Sequence, residues 1–361
     1  MTRLDRHLGA RYLVTVASVL AGVCFLYAVI DFADRAGALV GPDWLLWALR
    51  LYANRLPKVA VLVSPAAMLI AAGLTLSAAR RHSELTAILA AGRSPARIVL
   101  PIALLALGLG GVVYELDDAV AVHAALRAER IAAEHFRMWG DYRTYFGAKR
   151  WLRLGSRILH LGEPLPGGGF SKATLLETSP DFAVTRRLDA EAIVPLGGER
   201  WRLDGVIERE LGGGKQSLRR LSSLTLRLPG GEAIGKLAPG KPEMLSRAEL
   251  RRQIGYREEL GLDTAEDRFE YFSRVAFVLV GCAGAMLAAA LSLRAGRRGH
   301  VATSLLEGLV VSALLWALLA TAKALSLSGR LPPWVCAFAP ELAGVLLGGF
   351  ALAQSSRRAA W

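Results

Sequence analysis

The chain has 361 residues, 53% hydrophobic and 21% charged, with a positive mean hydropathy of +0.36; it is too apolar for an ordinary soluble domain, so part of it must be solvated by lipid. A uniform membrane bundle is also excluded, because residues 116–272 hold 25 of the 44 Lys and Arg and 23 of the 31 Asp and Glu. Outside that segment 19 basic residues face 8 acidic ones, so most of the net +13 flanks apolar runs, where anionic lipid attracts it, and the high pI is no argument for nucleic acid.

The first apolar run, about 12–31, follows basic residues and has no small-x-small cleavage site after it, only Asp31 to Asp34; it reads as a retained first helix. An interfacial helix is expected over 44–55, with Trp44, Trp47 and Tyr52 at headgroup level, before Pro57 opens a second span over about 57–79. Between this span and a third at about 97–115 lies Ser83-Glu-Leu-Thr-Ala-Ile-Leu-Ala-Ala-Gly-Arg-Ser-Pro95. There Ser83 can cap a short helix, Glu84 complements its positive end, and Gly92 supplies a left-handed stop. Leu85, Ile88 and Leu89 form an apolar stripe on a helix too short to persist alone in water, so it needs a surface, protein or lipid, to dock against.

Residues 117–136 continue the third helix outward. Short alternating runs follow, at 151–154, 157–160, 173–177, 201–204 and 221–227, separated by Gly and Pro, and they predict a β-sandwich or jelly roll with one buried face. Ser246-Arg-Ala-Glu249 is a capping box that starts a helix leading to three more spans, about 273–293, 303–327 and 333–354. The fold class is therefore a membrane α-helical protein of six transmembrane helices, three and three, with an inserted outer β-domain. The domains are 1–115 with a short helix at 83–94, 116–272, and 273–361. Twelve Lys and Arg flank the spans on the side of the termini against six on the other, which puts both termini in the cytoplasm and the β-domain outside.

No catalytic constellation stands out. The six histidines lack zinc spacing, Cys24, Cys282 and Cys336 have no C-x-x-C spacing and read as small buried hydrophobes, and there is no G-x-S-x-G elbow. Gly212 to Ser217 departs from a phosphate loop at Arg209 and Gln216, and is read as a hairpin.

Pro57, Ser64-Pro65, the 83–94 segment with Glu84 and Ala90-Ala-Gly92, and Pro101 resemble the LptF/LptG (YjgP/YjgQ) permeases of the lipopolysaccharide exporter. The resemblance continues in Trp201-Arg-Leu203, Leu245-Ser-Arg-Ala-Glu-Leu250, Arg274 and Leu331-Pro-Pro-Trp334. It implies a non-catalytic permease of the bacterial inner membrane that extracts lipopolysaccharide and passes it to a periplasmic bridge. The implied partners are a cytoplasmic ABC ATPase dimer (LptB-like), a paralogous permease completing an F/G pair, and periplasmic LptC/LptA-like jelly-roll proteins. The chain itself takes no cofactor; the partner ATPase uses the ATP.

By that resemblance 83–94 is a coupling helix, with Glu84, Leu85, Ile88, Leu89 and Gly92 as ATPase-coupling residues. The β-domain should offer an apolar groove or an open edge for strand addition, and the first and fifth spans should wall a lateral gate. Arg55, Lys58, Arg274 and Lys323 are the candidates for lipid headgroup phosphates, although ordinary snorkelling explains such residues equally well. Glu307 is expected to pair with Arg298, and Glu341 has no assigned role. The alternatives are a membrane-anchored periplasmic assembly protein that transports nothing, and a lipid-acting membrane enzyme, for which no carboxylate or metal constellation is found.

Overall fold

The structure is a computed structural model that describes residues 3–136, 150–162, 165, 169–181, 183–211, 217–228, 234, 241–294 and 301–358; side chains at 150, 153, 154, 293, 294, 301–305, 307 and 355–358 are not described. It divides into two units, Met1–Arg137 with Arg268–Trp361, and Met138–Asp267.

The first unit is helical. Its elements are α1 (Arg3–Arg35), α2 (Trp44–Arg81), α3 (Glu84–Ala90), α4 (Pro95–Leu116), a π turn (Asp117–Ala121), α5 (Val122–Phe136), α7 (Ala265–Arg294), α8 (Val301–Leu327) and α9 (Pro333–Arg358). Among the described residues six stretches are long and apolar enough to cross a bilayer: three lie in α1, α2 and the α4–π–α5 run, and three in α7, α8 and α9. Three therefore precede the strands in sequence and three follow them.

Helix α2 is the hub, packing against α1, α4, α5 and α8. Its inner face, Met68 to Ala72 with Leu76, shares one core with Leu8 and Tyr12 of α1, Ile98 and Ile102 of α4, and Ala285 and Ala289 of α7. Close approach depends on small residues: a Cβ at Gly110 of α4 would collide with the Val278 carbonyl oxygen of α7, so only glycine lets these two backbones meet.

One expectation is corrected here. No separate interfacial helix covers 44–55; α2 runs unbroken from Trp44 through Pro57 and Pro65. Pro65 has no N–H for the carbonyl four residues back, Val61 O, and the Ser64 hydroxyl donates to that same oxygen at 2.8 Å. A proline within a helix is tolerated where such a neighbour re-satisfies the backbone. The outward extension of the third helix does form, but with a π turn at Asp117–Ala121 that the hydropathy pattern gives no sign of.

Among its described residues the second unit holds a six-stranded antiparallel sheet with strands adjacent in sequence order: β1 (Arg150–Leu154), β2 (Arg157–Leu161), β3 (Phe170–Thr178), β4 (Val184–Gly197), β5 (Arg200–Glu210) and β6 (Ser217–Arg227). Each alternating run read from the sequence falls in a strand. The described strands connect as an up-and-down meander. Leu159, Leu175 and Leu188 lie in register across β2, β3 and β4 and are fully buried with Ile193, Trp201 and Leu203, giving the sheet its single apolar face.

Helix α6 (Arg247–Glu259) adds Tyr256, and just beyond it Leu260, to that core. Its capping box forms as expected, the Ser246 hydroxyl accepting from Glu249 N at 3.3 Å and the Glu249 carboxylate accepting from Ser246 N at 2.8 Å. The expected hairpin at 212–216 lies outside the described residues, between the antiparallel neighbours β5 and β6.

Candidate functional site

Charge in the helical unit collects at two levels. Arg11 and Asp31 of α1 are twenty residues apart, about 30 Å at 1.5 Å per residue, which is the thickness of a bilayer's hydrocarbon.

At the Asp31 level the structure brings together three of the four basic residues singled out above. Asp31 accepts from Arg35 Nε at 3.0 Å, Tyr52 OH at 2.9 Å and Arg55 Nη1 at 3.0 Å. Arg55 also lies 3.6 Å from Glu129 of α5. One turn along α2, Lys58 donates to Asp117 at 2.8 Å, and Asp117 stands 3.9 Å from Arg274, which is itself tied to Glu270 at 2.9 Å. Four cations thus face four carboxylates: Arg35, Arg55, Lys58 and Arg274 against Asp31, Asp117, Glu129 and Glu270.

The belt is well buried, with side-chain exposures of 11% for Arg55 and Asp31 and 8% for Arg274, whereas Lys58 keeps 31%. Snorkelling therefore does not describe Arg55 and Arg274, whose charges are met by protein. Lys323 is half-buried near the end of α8. The carboxylates were not anticipated as partners. Asp31 is visible in the sequence as an acid closing an apolar run, but its convergence with Tyr52 and Arg55 depends on how α1 and α2 pack.

At the Arg11 level, Arg11 pairs with Glu84 of α3 at 2.9 Å, and Arg97 of α4 pairs with the buried Asp5 at 3.1 Å. Leu85 is buried in this chain's own helical core, with Ile88 and Leu89 packed against it. The short helix thus packs on the core shared by α1, α2 and α4, with Leu85 facing inward and Ile88 and Leu89 half-buried. Thr86, Ala87 and Ala90 form the exposed face.

Ser83 does not cap α3 with its side chain. Its backbone is left-handed (φ 58°), whereas a side-chain cap needs an extended residue, and it offers its carbonyl to Ala87 N at 3.0 Å instead. Gly92 takes the expected left-handed stop (φ 78°), and Ser94 caps α4, its hydroxyl accepting from Arg97 N at 3.4 Å.

Two further features lie elsewhere. A cleft of about 490 Å³ opens on the sheet, lined by Lys172, Thr174, Asp189, Glu191, Gly205 and Arg220 among others. It forms where the ladder is interrupted: Lys172 and Gly205 both have left-handed backbones (φ 52° and 63°), and neither has a partner in the register. Within it burial works to raise the Asp189 carboxyl, but hydrogen bonds from Arg187 and Thr174, with the nearby guanidinium charges, outweigh it and hold the group below the usual carboxylate range. Beside these polar groups the lining includes Ala173, Ala190, Val206, Ile207 and Leu221, so the cleft also borders the sheet's apolar core. Strand β6 pairs on one side only among the described residues, leaving an open edge.

Glu341 of α9 is 5% exposed, and its Oε2 has no hydrogen-bond partner among the described residues. It faces a cavity of about 50 Å³ together with Pro65, Ser312 and Trp316. The expected pairing of Glu307 with Arg298 lies outside the described residues.

Two comparisons complete these observations. A family described as "Lipopolysaccharide export system permease LptF/LptG" matches residues 6–354. No curated protein matches the chain.

Proposed function

The chain belongs to the LptF/LptG family of lipopolysaccharide export system permeases, and from that premise we propose that it is the transmembrane permease subunit of an ATP-driven exporter. In this reading it sits in the bacterial inner membrane with both termini cytoplasmic and its sheet domain periplasmic, the six apolar helices crossing three and three. It pairs with a paralogous permease around a lipid cavity, takes up lipopolysaccharide, and passes it through jelly-roll domains of the LptC/LptA kind, with the open edge of β6 as the strand-addition site. An LptB-like ATPase dimer hydrolyses the ATP, and the permease contributes no catalytic group.

The observation that carries the reading is the construction of α3. A seven-residue helix has no stability of its own, yet this one is fixed by its first two residues, Glu84 to Arg11 of α1 and Leu85 into the core shared by α1, α2 and α4. A force applied to its exposed face, Thr86, Ala87 and Ala90, passes directly to α1. Glu84, Leu85, Ile88 and Leu89 then transmit the coupling, while Gly92 sets the turn that presents the helix. At the opposite level Arg55, Lys58 and Arg274, with Lys323, supply the positive charge that recognises the lipid's phosphates.

Mild extraction of tagged protein from its native membrane into nanodiscs, with identification of everything that co-purifies, tests the reading. It predicts an ABC-type ATPase, a six-span paralogue and lipopolysaccharide together. Recovery with periplasmic partners but no ATPase would transfer the assignment to a membrane-anchored assembly protein.

A further inference from the structure

Arg55, Lys58 and Arg274 do not wait bare for a ligand: each already has a carboxylate of this chain. A cation at 8 to 11% exposure cannot stand unpaired without a large desolvation penalty, so a buried receptor for anions must hold anions of its own while it is empty. The question is which of the four carboxylates can leave.

Two are firmly held, and a third would free nothing by leaving. Asp31 takes three donors, two of them guanidinium groups, at 2.9 to 3.0 Å. Glu270 is bound to Arg274 one turn away on the same helix, and so follows it wherever it moves. Glu129 stands 3.6 Å from Arg55, which Asp31 holds in any case, so its departure would free no cation. Asp117 differs. It reaches across helices to Lys58, the most exposed cation beside it, and stands 3.9 Å from Arg274, beyond hydrogen-bond reach. It also opens the π turn, the one place in the α4–α5 run where the helical register is already loosened.

We propose that Asp117 is a stand-in anion: it neutralises Lys58 and Arg274 in the resting protein and is displaced when a phosphate of a glycolipid headgroup arrives. This rests on the headgroup assignment made under Proposed function and adds its regulation. An arriving phosphate replaces one carboxylate on two cations, so neither cation is left bare, and the displaced Asp117 carboxylate exchanges its cations for water. Arg274 keeps Glu270 throughout, and Asp117 swings outward on the slack of the π turn. The belt then acts as a selectivity filter, because a neutral or weakly charged lipid cannot evict a carboxylate that a phosphate can.

Removing the stand-in should strengthen binding, the reverse of what loss of an ion-pair partner does to a structural site. The test uses the full chain in nanodiscs of zwitterionic phosphatidylcholine, with intact lipopolysaccharide, dephosphorylated lipopolysaccharide and inorganic phosphate as separate probes. Asp117→Asn should tighten intact lipopolysaccharide by roughly tenfold, equivalent to about 1.4 kcal/mol, with no gain for the dephosphorylated lipid. Asp31→Asn, which loosens Arg55, should bind no better than the parent. If Asp117→Asn is not recovered folded, Asp117→Ser, which keeps an oxygen for Lys58, carries the same prediction.

Unchanged or weaker binding by a folded Asp117 variant would overturn the exchange and make the carboxylate a structural partner. A gain for inorganic phosphate without one for the lipid would overturn the glycolipid as ligand. If the parent does not distinguish phosphorylated from dephosphorylated lipid and Arg274→Gln changes nothing, the headgroup assignment itself fails and the exchange fails with it.

Discussion

Single side chains decide more here by their partners than by their type. Arg55 and Arg274 were legible as basic residues beside spans, but their function depends also on Asp31, Asp117 and Glu129, which come from three other elements. Nothing in one-dimensional spacing shows that α1, α2, the π turn and α7 meet at one level. The same holds outside the helices for Asp189, held below its ordinary range by Arg187 and Thr174 against the effect of burial.

A depressed carboxyl contributes stability above its unfolded value, near 4, and that contribution is lost as pH falls through the lower folded value. Asp189→Asn should therefore lower the stability of the sheet at pH 7 by about 1 kcal/mol at most, given the solvent around Arg187. The difference from the parent should shrink toward zero in acid. Thermal unfolding of the full chain at pH 7 and pH 3, followed through its strand signal, checks both the sign and the direction with pH.

Whole segments were read well where periodicity is strong. Five of the six strands were visible as alternating runs. The longest, β4, was not, because the adjacent Arg186 and Arg187 break its alternation and its inward positions include the small Ala190. Pro57 misled in the opposite direction: proline at a span boundary reads as a helix start, whereas α2 continues through it, as membrane helices can where backbone groups are re-satisfied.

Helix α3 was found from its stripe and its Gly92 stop, but the stripe could not say whether its surface belonged to this chain or to another. Leu85 is buried in this chain's own core, and a prediction follows for the opposite face. Ala87→Trp, on the exposed side, should abolish ATPase association while the chain inserts and melts as the parent does, whereas Leu85→Asp should also destabilise the helical unit, by several kcal/mol. Co-purification and thermal unfolding of both variants separate the two effects. Equal loss of stability in both would mean that the faces of α3 are not distinct.

As a molecule, the chain is a charged belt and a tethered helix at two levels about 30 Å apart, with an antiparallel sheet inserted between the third and fourth apolar helices. That division was legible from composition alone, because lipid and water demand opposite surfaces and the sequence is segregated accordingly. The internal neutralisation of the belt was not, since charge counts cannot distinguish a paired cation from an available one. Reconstituting the chain in lipopolysaccharide-loaded vesicles with the ATPase and paralogue that co-purify with it, and following lipopolysaccharide leaving the bilayer for an added periplasmic acceptor, tests the exporter reading most directly. Release that requires ATP and is lost with Ala87→Trp is the predicted result; release that ignores ATP, or none from a complex whose ATPase is active, would contradict it.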